Sequence, residues 1–284
     1  MILVTGASGN IGGELVKRLT DAKVRFRAGY HSKDKADAAK RAGVEAVLID
    51  FTRPATLRPG LEEVQSLFLI SGNHPSQTEL EINVVHEAKK AGVRHLVKTS
   101  VWGAEGAAFS FARIHRPVEK EIEASGIAYT FLRPNGFMQN FVNFLAGTIR
   151  AQGAFYLPAR QARVSHIDVR DIAGVAARVL VESGHEGKAY DLSGPEALTY
   201  DQIAEKLSAV LDRKIVYVDL PDAEFKKSMI GAGAPPAYAD AMIDLVHYYI
   251  AGQASRVTPA VRQITGKDPI AFDQFAREFA RAFR

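Results

Sequence analysis

The sequence predicts an α/β fold: a doubly wound parallel sheet with a smaller, mostly helical C-terminal lobe. Three observations predict it. Short apolar runs alternate with amphipathic stretches through the first half of the chain. The connections between them are brief and carry glycine. The first connection, directly after the opening strand, is the richest in glycine of all. Alternating strand and helix of this kind makes parallel strands covered on both faces, joined by right-handed crossovers.

The elements follow in order. Ile2–Thr5 reads as a buried strand. Gly12–Leu19 reads as its helix, with Ile11, Leu15 and Leu19 at four-residue spacing. Val24–Tyr30 is the second strand, Ala36–Ala42 a helix closed by Gly43, and Glu45–Ile49 the third strand. Leu67–Ser71 and His95–Ser100 are strands flanking a helix at Glu79–Ala91. Pro117–Ser125 is a helix ending at Gly126, and Tyr129–Arg133 is the sixth strand. The pattern then loosens. Phe137–Arg150 reads as helix, and Asp168–Glu182 as helix capped by Asp168. Ala189–Leu192 is a strand, Thr199–Leu211 a helix with Thr199 as N-cap, and Ile215–Leu220 a strand. Residues 222–284 are mostly helical. The expected division is residues 1–155 as the nucleotide-binding unit, with a returning segment near 164–195. Residues 196–284 form a substrate-side lobe, for which the sequence outlines no independent core.

Composition narrows the function classes. With 284 residues, 47% hydrophobic and 24% charged, the chain can bury a substantial core. It has no cysteine, which removes disulfides, thiolate metal sites and a cysteine nucleophile. The net charge of +4 suits anionic small molecules. The basic residues are scattered, so nucleic acid is not an expected partner. No stretch approaches the roughly 20 apolar residues of a membrane span. Met1 leads straight into a strand, leaving no room for a signal peptide, so a cytoplasmic location is the expectation.

The sharpest motif is Thr5-Gly6-Ala7-Ser8-Gly9-Asn10-Ile11-Gly12, between the first strand and its helix. Gly6 permits the tight turn, Gly9 allows close backbone approach to a pyrophosphate, and Gly12 lets helix and sheet pack closely. The amides from Ser8 onward, including those of Asn10 and Ile11, then face the phosphates at a helix N-terminus. The spacing is G-x-x-G-x-x-G, and its strand–turn–helix setting marks a Rossmann dinucleotide site. A carboxylate at the end of the second strand would favour NAD by accepting the ribose 2′-OH. None stands there. His31, Ser32, Lys33 and Lys35 can instead meet a 2′-phosphate, so NADP(H) is favoured over NAD(H). Asp50 and Phe51 end the third strand. They border the adenine, or Asp50 forms the turn before Thr52-Arg53-Pro54.

None of the nine tyrosines has a lysine four residues on, so the usual tyrosine–lysine proton-donating pair is absent. What remains at the carboxyl ends of the strands is Ser100-Val101-Trp102-Gly103, His115, and Asn135-Gly136-Phe137. His115 is the candidate catalytic residue; the alternative is a helix-start histidine bonded to backbone. Trp102 walls a substrate or packs in the core. Tyr238, Met242, Leu245 and Tyr249 form a helical stripe that is either core or the roof of a substrate pocket. His166 and Asp168 lack a third ligand, so no metal is expected.

Taken together, these residues resemble the NmrA-like family of atypical short-chain dehydrogenase/reductases, particularly its bacterial quinone and triphenylmethane reductases. The resemblance spans essentially the whole chain. It is carried by Val4 through Gly12, by Asp50-Phe51, and by Leu67 through Gly72. It continues in His115 with Glu119, in Tyr129 through Met138, and in Ser255-Arg256-Val257-Thr258. It implies NADPH bound by Gly6, Gly9 and Gly12, with the basic 2′-phosphate position falling on His31. Ser71 and Gly72 would pass along the middle of the cofactor, with Ser100 on the same face. His115 would sit where plant ether reductases of the wider group carry a catalytic lysine. Trp102, Asn135, Phe137 and Tyr238 would border the substrate. The implied activity is hydride delivery to a quinone or similar conjugated acceptor. A non-catalytic NADP(H) sensor and an imine or ene reductase are the alternatives. The implied partner is a small molecule; a homodimer stays open.

Overall fold

A computed structural model describes all 284 residues. Strands β1 (Ile2–Val4), β2 (Phe26–Tyr30), β3 (Ala46–Leu48), β4 (Ser66–Leu69), β5 (His95–Thr99) and β6 (Ala128–Pro134) share one sheet. Two short strands, β7 (Ala154–Leu157) and β8 (Arg163–Val164), stand outside it, and β9 (Lys188–Leu192) completes it. The order is β3-β2-β1-β4-β5-β6-β9, and every pairing is parallel. The order reverses between β1 and β4, the switch point at which open sheets of this kind bind ligands.

Alternation along each strand builds two cores. Ile2, Val4, Phe68, Val97 and Leu132 face one way, onto α1 (Asn10–Asp21). Leu3, Leu67, Leu69, Leu96 and Phe131 face the other. The chain supplies α2 (Lys33–Arg41) and α3 (Leu57–Leu61), then covers this second face with α4 (Gln77–Lys90) and α5 (Ser110–Ser125). Lys98 belongs to the second face, two residues beyond Leu96, where the apolar cluster ends.

The third core corrects the reading of a C-terminal lobe without one. It joins 23 buried residues, among them Phe141, Phe155, Phe272, Phe275 and Phe283. The expected boundary at residue 155 also shifts. Met138, Phe141, Ile149, Phe155 and Ala162 pack with the lobe rather than with the sheet. The reason is compositional. Each short element donates only a few apolar residues, so no single window of sequence shows the core. They come from α6 (Ala146–Gln152), β10 (Leu198–Thr199), α8 (Tyr200–Leu211), β11 (Val216–Asp219) and α12 (Phe272–Glu278), numbered in chain order with α7 (Val169–Val181), α9 (Asp222–Gly231), α10 (Pro236–Ile250), α11 (Ala260–Thr265) and α13 (Ala280–Phe283).

Local expectations meet three outcomes. Asp168 caps α7 by accepting from Arg170 N, and Thr199 caps α8 in a reciprocal box with Gln202. The expected helix Phe137–Arg150 is interrupted by a π-turn at Phe141–Leu145 before α6. Strand β7, which pairs with β11, lies in a stretch not read as strand. Four residues between a helix C-cap glycine and a proline give too short a signal. No helix is long and apolar enough to cross a membrane.

Candidate active site

The turn after β1 forms one wall of the site. Gly6 sits at φ +60°, and a Cβ there would lie 2.8 Å from Ile70 Cγ2. A Cβ at Gly12 would fall 2.2 Å from the Gly6 carbonyl oxygen, so only glycine lets α1 start this close. Gly9 is the N-cap and brings no side chain to the first amides of the helix. Those amides, on Asn10, Ile11 and Gly12, are the unpaired donors of a helix start. No acidic residue stands in that first turn to compete with an anion. The Ile11 side chain is buried, so it offers only its backbone, while Ser8 and Asn10 are exposed beside it. Thr5 Oγ1 accepts from Ile70 N and has the carbonyls of Phe68 and Ile70 within reach of its one proton, locking the turn to the end of β4. A cradle that side chains would fill, with free N–H groups above it, fits the diphosphate of a dinucleotide.

Next to it, His31 follows β2 and is exposed, with Nε2 4.0 Å from Asp50 Oδ1. Ser32 starts α2 without capping it by its side chain. Lys33 is tied to Asp37 at 2.8 Å, whereas Lys35 is exposed. Asp50 is committed elsewhere. Its Oδ1 accepts from Thr52 N and Thr52 Oγ1, and its Oδ2 from Arg53 Nε at 2.7 Å. Of the two readings of Asp50, the geometry supports the turn former. Phe51 packs half-buried against the α4–α5 face.

A cavity of about 170 Å³ opens at the carboxyl ends of β5 and β6. Its walls are flat and aromatic: Trp102, Phe109, Phe111 and Phe137 line it, with Tyr248 and Tyr249 from α10. Ser100 and Asn135 lie at its floor. The Asn135 amide is fully engaged, donating to Ser165 Oγ and Ala254 O and accepting from Gly136 N. Asn135 therefore ties the end of β6 to the loop after α10. Trp102 is buried, donates from Nε1 to Gln253 O at 2.8 Å, and still presents surface to the cavity. Tyr238 stands one layer back, its ring edge-on to Phe111 at 6.1 Å. On the stripe of α10, Leu245 and Tyr249 are the residues that reach the cavity.

His115 lines this cavity from α5. Its Nδ1 lies 3.1 Å from Lys98 Nζ. Burial, reinforced by the Lys98 charge, pushes its pKa down to about 3. Glu119, four residues on, does not serve it. That carboxylate receives Arg133 in a two-pronged contact, both at 2.9 Å, and Arg116 at 3.0 Å. Behind His115, the buried Lys98 pairs with the equally buried Glu81 at 2.7 Å. Glu81 Oε1 accepts from Ser71 Oγ at 2.5 Å, at the turn carrying Ser71 and Gly72. Burial alone would raise the Glu81 carboxyl; the Lys98 ammonium together with the hydrogen bond from Ser71 holds it low. Sequence reasoning missed Lys98 and Glu81. The signal was there: a lysine inside a strand covered on both faces has to be paired.

Comparison with known proteins agrees in every direction. A model of the NmrA-like family matches residues 1–263. An NAD(P)H azoreductase of Xenophilus azovorans is 36% identical over 284 residues, covering 100% of this chain and 99% of the relative. The NADPH complex of an NADPH-dependent quinone oxidoreductase from Escherichia coli superposes with a TM-score of 0.90. It is 28% identical, and the match covers 99% of this chain and 100% of that one. The triphenylmethane reductase of a Citrobacter species, complexed with NADP(H), superposes at 0.89. It is 30% identical, with 98% and 99% covered.

Proposed function

The chain belongs to the NmrA-like family, and from that premise we propose that it is an NADPH-dependent reductase acting on a quinone or similar flat, conjugated acceptor. The observation that carries this reading is the pairing of two features on one sheet edge. A side-chain-free helix start fits a diphosphate, and the aromatic slot next to it is lined by His115, whose Nδ1 faces Lys98. The amides of residues 10–12 would hold the diphosphate. His31, Ser32 and Lys35 would meet a 2′-phosphate, and Ser71 and Gly72 would border the middle of the cofactor.

A reduced nicotinamide, when bound, supplies a hydride. A quinone that takes this electron pair becomes a hydroquinone anion, and one proton from water completes the product. The missing tyrosine–lysine pair is no handicap for such an acceptor, which needs little acid help. The slot's aromatic walls hold a planar substrate and exclude water. His115 is neutral at physiological pH and cannot deliver a proton as imidazolium. It can donate a hydrogen bond to the oxygen on which charge develops.

Mixing the purified chain with NADPH and a panel of quinones, azo dyes and triphenylmethane dyes tests this. Loss of nicotinamide absorbance that depends on both acceptor and protein supports the proposal. Cofactor binding without turnover on any acceptor would point instead to the sensor alternative.

A further inference from the structure

We propose that Lys98 is a positioning residue: clamped by Glu81, it fixes the His115 ring so that Nε2 carries the proton and points a permanent hydrogen-bond donor into the aromatic slot. What that donor meets rests on the reductase reading; the tautomer itself does not.

Lys98 is completely buried, on the α4–α5 face of β5. An ammonium has three protons and no acceptor. Two hydrogen-bond acceptors face Nζ, Thr99 O at 2.7 Å and His115 Nδ1 at 3.1 Å, and Glu81 Oε2 is its ion-pair partner at 2.7 Å. A neutral amine would leave the Glu81 carboxylate buried without its counter-charge, which is costly. The ammonium form donates to both acceptors and supplies that counter-charge. Because an ammonium can only donate, Nδ1 of His115 must accept. A neutral imidazole that accepts at Nδ1 carries its hydrogen at Nε2.

The charges around the ring agree with a neutral state. Lys98 faces it from β5 and opposes protonation, while Glu81 from α4 and Glu119 from α5 favour it. Both carboxylates are already paired, Glu81 with Lys98 and Glu119 with Arg133 and Arg116. Burial then decides for the neutral ring. The clamp also reaches the cofactor side. Ser71 Oγ and Gln77 Nε2 both donate to Glu81 Oε1, so the turn after β4 and the donor in the slot share one buried carboxylate.

The test is nitrogen NMR on cofactor-free protein labelled with 15N-histidine, the His115 signals being those lost in His115→Gln. At pH 7 the expected spectrum shows a proton on Nε2 and a bare Nδ1. A proton on Nδ1, rapid averaging of two tautomers, or an imidazolium at that pH would overturn the proposal. The Lys98→Met/Glu81→Gln double variant removes both charges together, so no lone ion is buried. In it, the tautomers should mix and the ring should titrate nearer the ordinary histidine range. Turnover of a quinone should fall at least about 10-fold in kcat, with KM for NADPH little changed. If the double variant does not fold, the wild-type spectrum still decides. The correct tautomer with no turnover on any acceptor would sink the reductase reading and leave the clamp standing. Turnover with the wrong tautomer would do the reverse.

Discussion

A Cβ built on Gly12 lands 2.2 Å from the carbonyl oxygen of Gly6, whereas one built on Gly13 meets nothing closer than Ala7 O at 3.6 Å. Two neighbouring glycines in one helix therefore have opposite meanings. Gly12 is held by the contact between helix and turn. Gly13 is held by nothing in the protein. Gly12→Ala should destabilise the fold by about 1–3 kcal/mol through overpacking, and should weaken NADPH binding by misplacing the amides of residues 10–12. Gly13→Ala should stabilise it by about 0.5–1 kcal/mol, as an ordinary helix substitution, and leave binding unchanged. Urea denaturation and NADPH titration check both arms.

His115 offers a donor rather than a proton, and that distinction can be measured. His115→Gln keeps an N–H at about the reach of Nε2 and should retain most of kcat toward a quinone. His115→Leu removes the donor and should lower kcat by about 10²-fold, as loss of one donor to a developing oxyanion does elsewhere. Equal losses in both variants would remove the hydrogen bond from the account. Steady-state rates at saturating NADPH separate the two results.

Asp171 makes a pH-dependent prediction. Burial raises its pKa to about 6, although Ile270 N donates to it at 2.8 Å. A carboxyl whose folded pKa lies above its unfolded value binds a proton that the unfolded chain has released. Stability therefore falls as pH rises from about 4 to about 6. Asp171→Asn should melt higher than wild type at pH 8, and the difference should vanish near pH 4. Melting curves at the two pH values decide it. A difference independent of pH would contradict the assignment.

The Glu119–Arg133 pair works in the opposite sense. Burial would raise the Glu119 carboxyl, but hydrogen bonds from Arg133, aided by Arg116, hold it below the usual carboxylate range. Its contribution is present above the unfolded carboxyl pKa and is lost as pH falls through the lower folded value. Arg133→Met, which leaves the buried carboxylate with Arg116 as its remaining counter-charge, should cost about 1–3 kcal/mol. Arg133→Met/Glu119→Gln should recover part of that loss. Urea denaturation of both variants measures the difference.

How far the sequence could be read follows from how local each signal was. The glycine turn declared itself because three glycines at fixed spacing follow a strand, and the Gly6–Gly12 contact shows why. The caps at Asp168 and Thr199 were legible for the same reason. Each acts within three residues of itself. His115 was legible as a candidate catalytic residue, although α5 begins at Ser110 rather than just beyond it. Its tautomer depends on Lys98, 17 residues back, and through it on Glu81 on another helix. Trp102, Phe137, Leu245 and Tyr249 of the aromatic slot were candidates in the sequence, whereas Phe109, Phe111 and Tyr248 were not, because the slot draws on the segment after β5, on α5 and on α10. Tyr238, read as core or roof, is not among the residues that line it; its ring lies edge-on to Phe111 at 6.1 Å. The lobe's core was invisible because no single element carries much of it.

The account stands on hydride reaching a flat acceptor in the slot beside the glycine turn. A single-turnover experiment addresses that directly. Protein is loaded with less than one equivalent of NADPH and mixed anaerobically with a quinone, and nicotinamide oxidation and hydroquinone are both quantified. The account predicts one hydroquinone formed per NADPH consumed, with His115→Leu slower and Gly12→Ala limited by binding. NADPH that stays bound and reduced in the presence of every quinone tried would contradict it.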